Sequence, residues 1–303
     1  MNDAEGHAST MSGGTQRLLV PYCVTARFVA TQPLGAAGLL AIVLMLAASV
    51  LAKWVTPYDP VGIDFGAMLA APSPAHLFGT DQFGRDVLSR IIYGARTALA
   101  IGFWSSFIGC TVGTAIGVAS AYFGGRVDLV VQRCTELLMP FPIIVLALIV
   151  GVMLGSKPMA GIDVNLILAI TVPILSRAVR VVRSAALAVR EMPYVEAARA
   201  TGCSHCRIIF LHMARNVIAP YLIILTAYIG QAILLEASLS FLGLGVAEPT
   251  PAWGLMLSGR SADFYRDAPW MIIFPGLAIS VSVFAFNLFG DSLRDWLDPK
   301  IRT

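Results

Sequence analysis

Charge is what this 303-residue chain has least of: Asp, Glu, Lys and Arg make up 13% of it, against roughly 25% in an average soluble domain. So few charges cannot cover the surface of a water-soluble protein of this length, which excludes both an ordinary enzyme in solution and a solvated, disordered chain. Cysteine is sparse too. The five cysteines are odd in number and scattered over apolar runs and one polar segment, so they form no disulfide framework. Neither sign of charge dominates: 21 basic against 18 acidic residues leave a net +3, without the basic stripe that binding nucleic acid requires. No G-x-x-x-x-G-K-S/T string occurs, and Lys53, Lys157 and Lys300 all lack a glycine-rich phosphate cradle. This chain does not itself hydrolyse ATP.

What is abundant is apolar. Hydrophobic residues make up 57% of the chain and the mean hydropathy is +0.77, so its solvent is mostly lipid. The uncharged stretch 34–52 is about 28 Å long as a helix, close to the roughly 30 Å of a hydrocarbon core. The stretches 97–123, 137–155, 217–235 and 268–290 are also long enough to cross. A sixth, 164–182, ends in Arg177-Ala-Val-Arg180-Val-Val, whose arginines can snorkel to headgroups. The predicted fold is therefore all-α and polytopic with six transmembrane helices: an N-terminal tail over 1–33 and a transmembrane domain over 34–303. The polar or mixed tail before the first span marks that span as a retained anchor rather than a cleaved leader. Gly109, Gly113 and Gly117 form a small-residue face suited to close helix packing. With both termini inside, the inner segments hold twice as many Lys and Arg as the outer ones, so both termini are expected in the cytoplasm.

Catalytic apparatus is missing: no nucleophile with its base, no paired carboxylates and no metal cluster gathers at one membrane depth. Cys203-Ser-His-Cys206, with His212 nearby, is half a metal site lacking a second cysteine pair, so the default is small residues on a packed helix and neither metal nor cofactor is predicted. Glu136 opens the third span and Glu236 closes the fifth, where an interfacial carboxylate beside water or a base competes with a buried proton or ion site.

The connection 183–216 is long and the most basic. Pro193 suits a first helical turn, Glu196 the positive end of the dipole, and Gly202 the left-handed stop, giving one helix of about nine residues. Ala197, Ala198 and Ala200 keep its surface low, while Glu196 and Arg199 give it charged edges. A helix so short is marginal alone, so it docks either on a partner or back on its own spans. Elsewhere, Asp86 and Arg90 stand at i,i+4 in an amphipathic stretch that Thr80 or Asp81 could cap.

Glu196-Ala-Ala followed after three residues by Gly202 resembles the EAA motif of ATP-binding-cassette (ABC) importer permeases. The likeness extends to His76-Leu-Phe-Gly-Thr-Asp81-Gln-Phe-Gly-Arg-Asp86-Val-Leu-Ser-Arg90, Tyr122-Phe-Gly-Gly-Arg126, Glu236-Ala-Ser-Leu-Ser-Phe-Leu-Gly-Leu-Gly245, Pro251-Ala-Trp-Gly254 and Ala285-Phe-Asn-Leu-Phe-Gly-Asp291. Over about residues 75–303 the chain resembles the second permease subunit of dipeptide, oligopeptide and nickel importers. The resemblance implies a type I importer permease fold in the bacterial inner membrane, paired with a second homologous permease, two cytoplasmic ATPase subunits and a periplasmic or extracellular binding protein. It implies a coupling helix carrying Tyr194, Glu196, Ala197, Ala198, Arg199 and Gly202. Asp81, Arg85, Asp86 and Glu236 become candidate gate or periplasmic elements. One departure stands out: Ala214-Arg215 replace the family's Leu-Pro pair, which removes a helix break and predicts a straighter entry into the fifth span.

Three readings follow. The first is an importer subunit whose cargo, peptide or related, is selected largely by the separate binding protein. The second, a self-sufficient secondary transporter, requires inverted repeats and midplane ionisable residues, and neither is visible in the spans. The third, a membrane enzyme, lacks its catalytic cluster.

Overall fold

The computed structural model describes residues 29, 31–155, 157–159, 162–259, 263–264 and 266–297. Nearly all of the predicted tail 1–33 lies outside them. Five helices among the described residues are long and apolar enough to cross a membrane unaided, and a bent pair is so only when its two helices are taken together as one span. Exposed Leu44, Trp104, Leu234 and Phe284 give the bundle an apolar exterior that water would not tolerate over so large an area.

The first crossing, α1, is Pro33–Val50, with Pro33 in its first turn. Leu51 breaks it, and the single turn α2, Ala52–Val55, follows. A loop then leads to α3, Val87–Phe123, about 55 Å long. The amphipathic stretch and the second span are thus one helix. Its cap is Asp86, whose carboxylate accepts from the Ser89 amide at 2.8 Å, and not Thr80 or Asp81. Those two are committed to the preceding loop: Thr80 Oγ1 donates to the Ala67 carbonyl, and Asp81 Oδ1 accepts from the Phe83 and Arg85 amides at 2.8 and 2.9 Å.

The stretch expected to make the third crossing departs most from expectation. Instead of one helix over 137–155, α4 (Gly125–Leu138) and α5 (Ile143–Leu154) meet at 92°. Pro140 and Pro142 stand in the break; each lacks an amide and drives the residue before it out of helical space. Glu136 consequently lies on α4, exposed beside Arg133 at 3.2 Å, rather than at the opening of a straight span. A two-residue hairpin, β1 Pro158–Met159 against β2 Ile162–Asp163, leads into α6, Val164–Arg190, where Asp163 caps the Asn165 and Leu166 amides. Because α6 runs to Arg190, the first quarter of the expected loop 183–216 is helical.

The short α7 is Pro193–Ala200. From His205 the chain is helical again: α8 (His205–Arg207), a π-turn over Ile208–Met213, a 3-10 turn over Ala214–Val217, and α9, Ile218–Phe241. The lost Leu-Pro pair does leave this entry unbroken, but Pro220, with no amide to offer, keeps it irregular. The last helices are α10, Trp253–Leu257, and α11, Trp270–Leu297.

The spine of the bundle is α3. Its small face lies against α6 so closely that a Cβ at Gly113 would stand 2.8 Å from the Ala178 Cβ, and one at Gly117 2.8 Å from the Val179 carbonyl oxygen. Two apolar cores form around it. Ile101, Cys110, Tyr122, Ile174, Ala178 and Met213 belong to one, near the C-terminal half of α3. Val87, Ala95, Leu99, Ile233, Trp253 and Phe286 belong to the other, near its N-terminal half.

Candidate functional site

Local chemistry dictates α7. Pro193 needs no amide partner at the first helical position, Glu196 lies in the first turn and Arg199 in the last, each favourable to the helix dipole. Gly202, at φ +76°, ends the helix in a conformation that other residues avoid. The Gly202 amide donates to the Arg199 carbonyl at 3.0 Å and the Cys203 amide to that of Ala198 at 3.1 Å, the paired bonds of a Schellman stop.

Of the six residues expected to act here, Tyr194, Glu196, Ala197, Arg199 and Gly202 are exposed. Ala198 is not. It is buried with Val195 in the chain's own core, so its small size serves packing against the bundle rather than an open surface. One face of this helix is therefore folded back on the chain's own spans, and the other is exposed.

The anchor beneath α7 is the end of α3. The Tyr122 hydroxyl and His205 Nδ1 are 2.7 Å apart, and the Arg199 guanidinium lies 5.0 Å from the centre of the Tyr122 ring. Arg190 Nη1 donates to the Ala121 carbonyl at 3.2 Å. Arg183 grips the Asp128 carboxylate through two nitrogens, and Ser120 donates to the same carboxylate at 2.6 Å. That grip ties α4 to α6. Sequence reasoning missed Tyr122, Asp128 and Arg183 as supports, although the Tyr122-Phe-Gly-Gly block stood out. It weighed His205 as half a metal site, whereas the ring serves Tyr122. Among the described residues no three His, Cys, Asp or Glu side chains gather as metal ligands.

At the opposite end of α3, Asp81, Arg85 and Asp86 do come together. Arg85 Nε donates to Asp81 Oδ2 at 2.6 Å and Arg85 Nη1 to Glu248 Oε2 at 2.9 Å. Asp86 caps α3 and stands 3.0 Å from His76 Nδ1. The expected Asp86–Arg90 pair does not form; Arg90, 1% exposed, instead lies 3.8 Å from both Asp81 and Glu248. Two tryptophans tie the loops down, Trp253 Nε1 donating to the Ile91 carbonyl at 2.9 Å and Trp270 Nε1 to that of Thr80 at 3.0 Å.

Glu236 does not join this group. It lies within α9, which continues to Phe241, and is completely buried rather than interfacial. Ser240 Oγ donates to its Oε1 at 2.7 Å and accepts from the Val246 amide at 3.2 Å, so the carboxylate fixes the turn that leaves α9. The helix runs on past this carboxylate to Phe241, so the end of the uncharged run is not the end of the helix.

Comparison with known proteins places the chain. Residues 113–303 match the family described as binding-protein-dependent transport system inner membrane component. A protein of Brucella suis biovar 1 (strain 1330) named as a peptide transport system permease protein is 39% identical over 282 residues, covering 93% of each chain. The glutathione transport system permease protein GsiD of Escherichia coli O157:H7 is 39% identical over 272 residues, covering 89% of this chain and 88% of that one. The long apolar helices and these matches agree: the chain belongs to the family of binding-protein-dependent transport system inner membrane components, as a multi-pass permease subunit of an ABC importer.

Proposed function

We propose that this subunit, in a bacterial inner membrane with both termini in the cytoplasm, lines half of a translocation path for short peptides or related thiol peptides, the cargo named for its relatives. A second homologous permease supplies the other half, two cytoplasmic ATPase subunits drive the cycle, and a periplasmic or extracellular binding protein delivers cargo to the Asp81–Asp86 end. Residues 34–303 act as one transmembrane domain, preceded by a cytoplasmic tail over 1–33.

The observation that carries the reading is the two-sidedness of α7. Val195 and Ala198 are buried, while Tyr194, Glu196, Ala197 and Arg199 remain exposed on a helix too short to be stable alone. A groove in an ATPase subunit completes such a helix. Movement of that subunit then pushes on α7, and the Tyr122–His205 and Arg199 contacts pass the push to α3, a rigid helix that ends beside the loops meeting the binding protein. Asp81, Arg85 and Asp86 hold those loops to α3, and Glu236 holds the turn after α9, so both sets of residues would move with the outer rim.

The test is Glu196→Lys combined with Gly202→Pro, which reverses a charge on the free face and forbids the helix stop. In complexes that still assemble, cargo-stimulated ATP hydrolysis and uptake into vesicles should fall at least about tenfold, the size of one lost charge-assisted contact. Stimulation and uptake at wild-type rates would remove α7 from the coupling path.

A further inference from the structure

Between the loop 81–90 and the segment 248–259 lies a cavity of about 360 Å³, within the roughly 300–1,000 Å³ of small-ligand sites. Leu255, Met256 and Met271 supply an apolar side; Arg90 and Glu248 supply a charged one. Arg85 is well served, with Asp81 at 2.6 Å and Glu248 at 2.9 Å. Arg90 is not. Its Nη1 donates to the Pro60 carbonyl at 3.0 Å, but Nε stands 3.8 Å from Asp81 Oδ2 and Nη2 3.8 Å from Glu248 Oε1, both too far for a hydrogen bond. Nε has no hydrogen-bond partner among the described residues.

A buried guanidinium with an idle edge is costly, and native proteins usually complete such groups with a ligand or an ordered water. The Nε–Nη2 edge is a planar fork matched to the two oxygens of a carboxylate. Asp81 cannot close on it, because one of its oxygens caps two amides and the other is bound by Arg85. Glu248 can leave, since its side chain is 50% exposed and Arg85, which it meets at 2.9 Å, keeps Asp81 at 2.6 Å.

We propose that this cavity binds a small carboxylate with an apolar substituent, the C-terminal residue of a short peptide. The carboxylate occupies the Arg90 fork, the substituent lies against Leu255 and Met256, and Glu248 turns out to solvent as a competing, displaceable anion. The carboxylate class rests on the fork alone; the peptide rests on the import reading above.

The probe is leucyl-leucine, titrated by equilibrium dialysis into the assembled permease–ATPase complex in lipid nanodiscs, without nucleotide and without binding protein. Saturable binding is expected, with the C-terminal amide of the same dipeptide at least about tenfold weaker, as a lost charged hydrogen-bond pair requires. Glu248→Gln, a change at a half-exposed site, should tighten binding about threefold by removing the competitor, on the order of one rim charge. Arg90→Lys, which keeps the charge but loses the fork, should weaken it about tenfold or more. Equal binding of acid and amide, or no saturable binding to either the wild type or Glu248→Gln, overturns the site and leaves the fork to water. Acetate competing as well as the dipeptide, mole for mole, overturns the peptide as occupant. None of these outcomes bears on coupling through α7, which is read by ATP hydrolysis instead.

Discussion

The two ends of α3 are held by opposite means. At its N-terminal end, Asp81, Arg85, Asp86 and Arg90 are all buried, and each carboxylate oxygen of Asp81 and Asp86 has a named partner in the same loop, in α3 or across the fold. At its C-terminal end, the charges of α7 face outward, and what holds the helix is two small apolar side chains, one tyrosine and one arginine stacked on it. The first arrangement satisfies its own carboxylates and leaves open only the Nε–Nη2 edge of Arg90. The second leaves a helix with a bare face, and a helix of eight residues cannot be stable on propensity alone. The proposed function calls for this asymmetry, a fixed end at the outer loops and a yielding one at α7. The difference also says where mutations should hurt: polar truncations at the first end, contacts to the bundle at the second.

The sharpest way to break the comparison is Asp81→Ala. It leaves Arg85 without its 2.6 Å partner, takes one of the two nearby carboxylates from Arg90, and frees the Phe83 and Arg85 amides inside the fold. Removing one member of a buried charge network costs about 3–5 kcal/mol, so the purified protein should show a large fall in its thermal unfolding midpoint. Glu196→Ala on the exposed face of α7 should change the same midpoint hardly at all, within about 0.5 kcal/mol. Equal effects at the two sites would dissolve the distinction.

The spans and the short helix were legible because each rests on local chemistry: an uncharged run long enough for lipid, a proline at a first turn, a glycine at a stop. Ranges came out within a few residues for α1 and for the start of α6. What failed was decided by distant partners. Asp81 and Asp86 are equally good caps by type, and only the folding of the loop onto α3 assigns the cap to Asp86 and the arginine to Asp81. Arg85 and Glu248 are 163 positions apart and share no local pattern. Pro140 and Pro142 were in plain sight, but whether a proline kinks a membrane helix or breaks it depends on what packs around it. Ala198 is the same kind of case: residue type places it on α7, and only the bundle beneath decides which way it faces.

A smaller effect sharpens the second end. Asp128 ties α4 to α6 through Arg183, and Asp128→Asn should cost about 1–2 kcal/mol at neutral pH, the range of a hydrogen bond to a charged group that is only partly buried. An unfolding midpoint unchanged by Asp128→Asn would mean that the Arg183 contact contributes nothing to holding α4 on α6.

The finest test is Tyr122→Phe. The ring stays, so the stacked Arg199 guanidinium and the packing against Phe123 are kept, and the only loss is the bond to His205. Its net worth is about 1 kcal/mol, too little to unfold the bundle but enough to loosen a helix with so few other contacts. Global stability should drop by no more than that, while amide hydrogen exchange over residues 193–202 should accelerate severalfold, because local opening of α7 needs far less free energy than unfolding α3. If those amides exchange as in the wild type, the Tyr122–His205 contact is incidental, and α7 must be joined to α3 by Val195, Ala198 and Arg199 alone. That would move the transmission of force from a hydrogen bond to packing, and Val195→Ala rather than Tyr122→Phe would then be the substitution that uncouples.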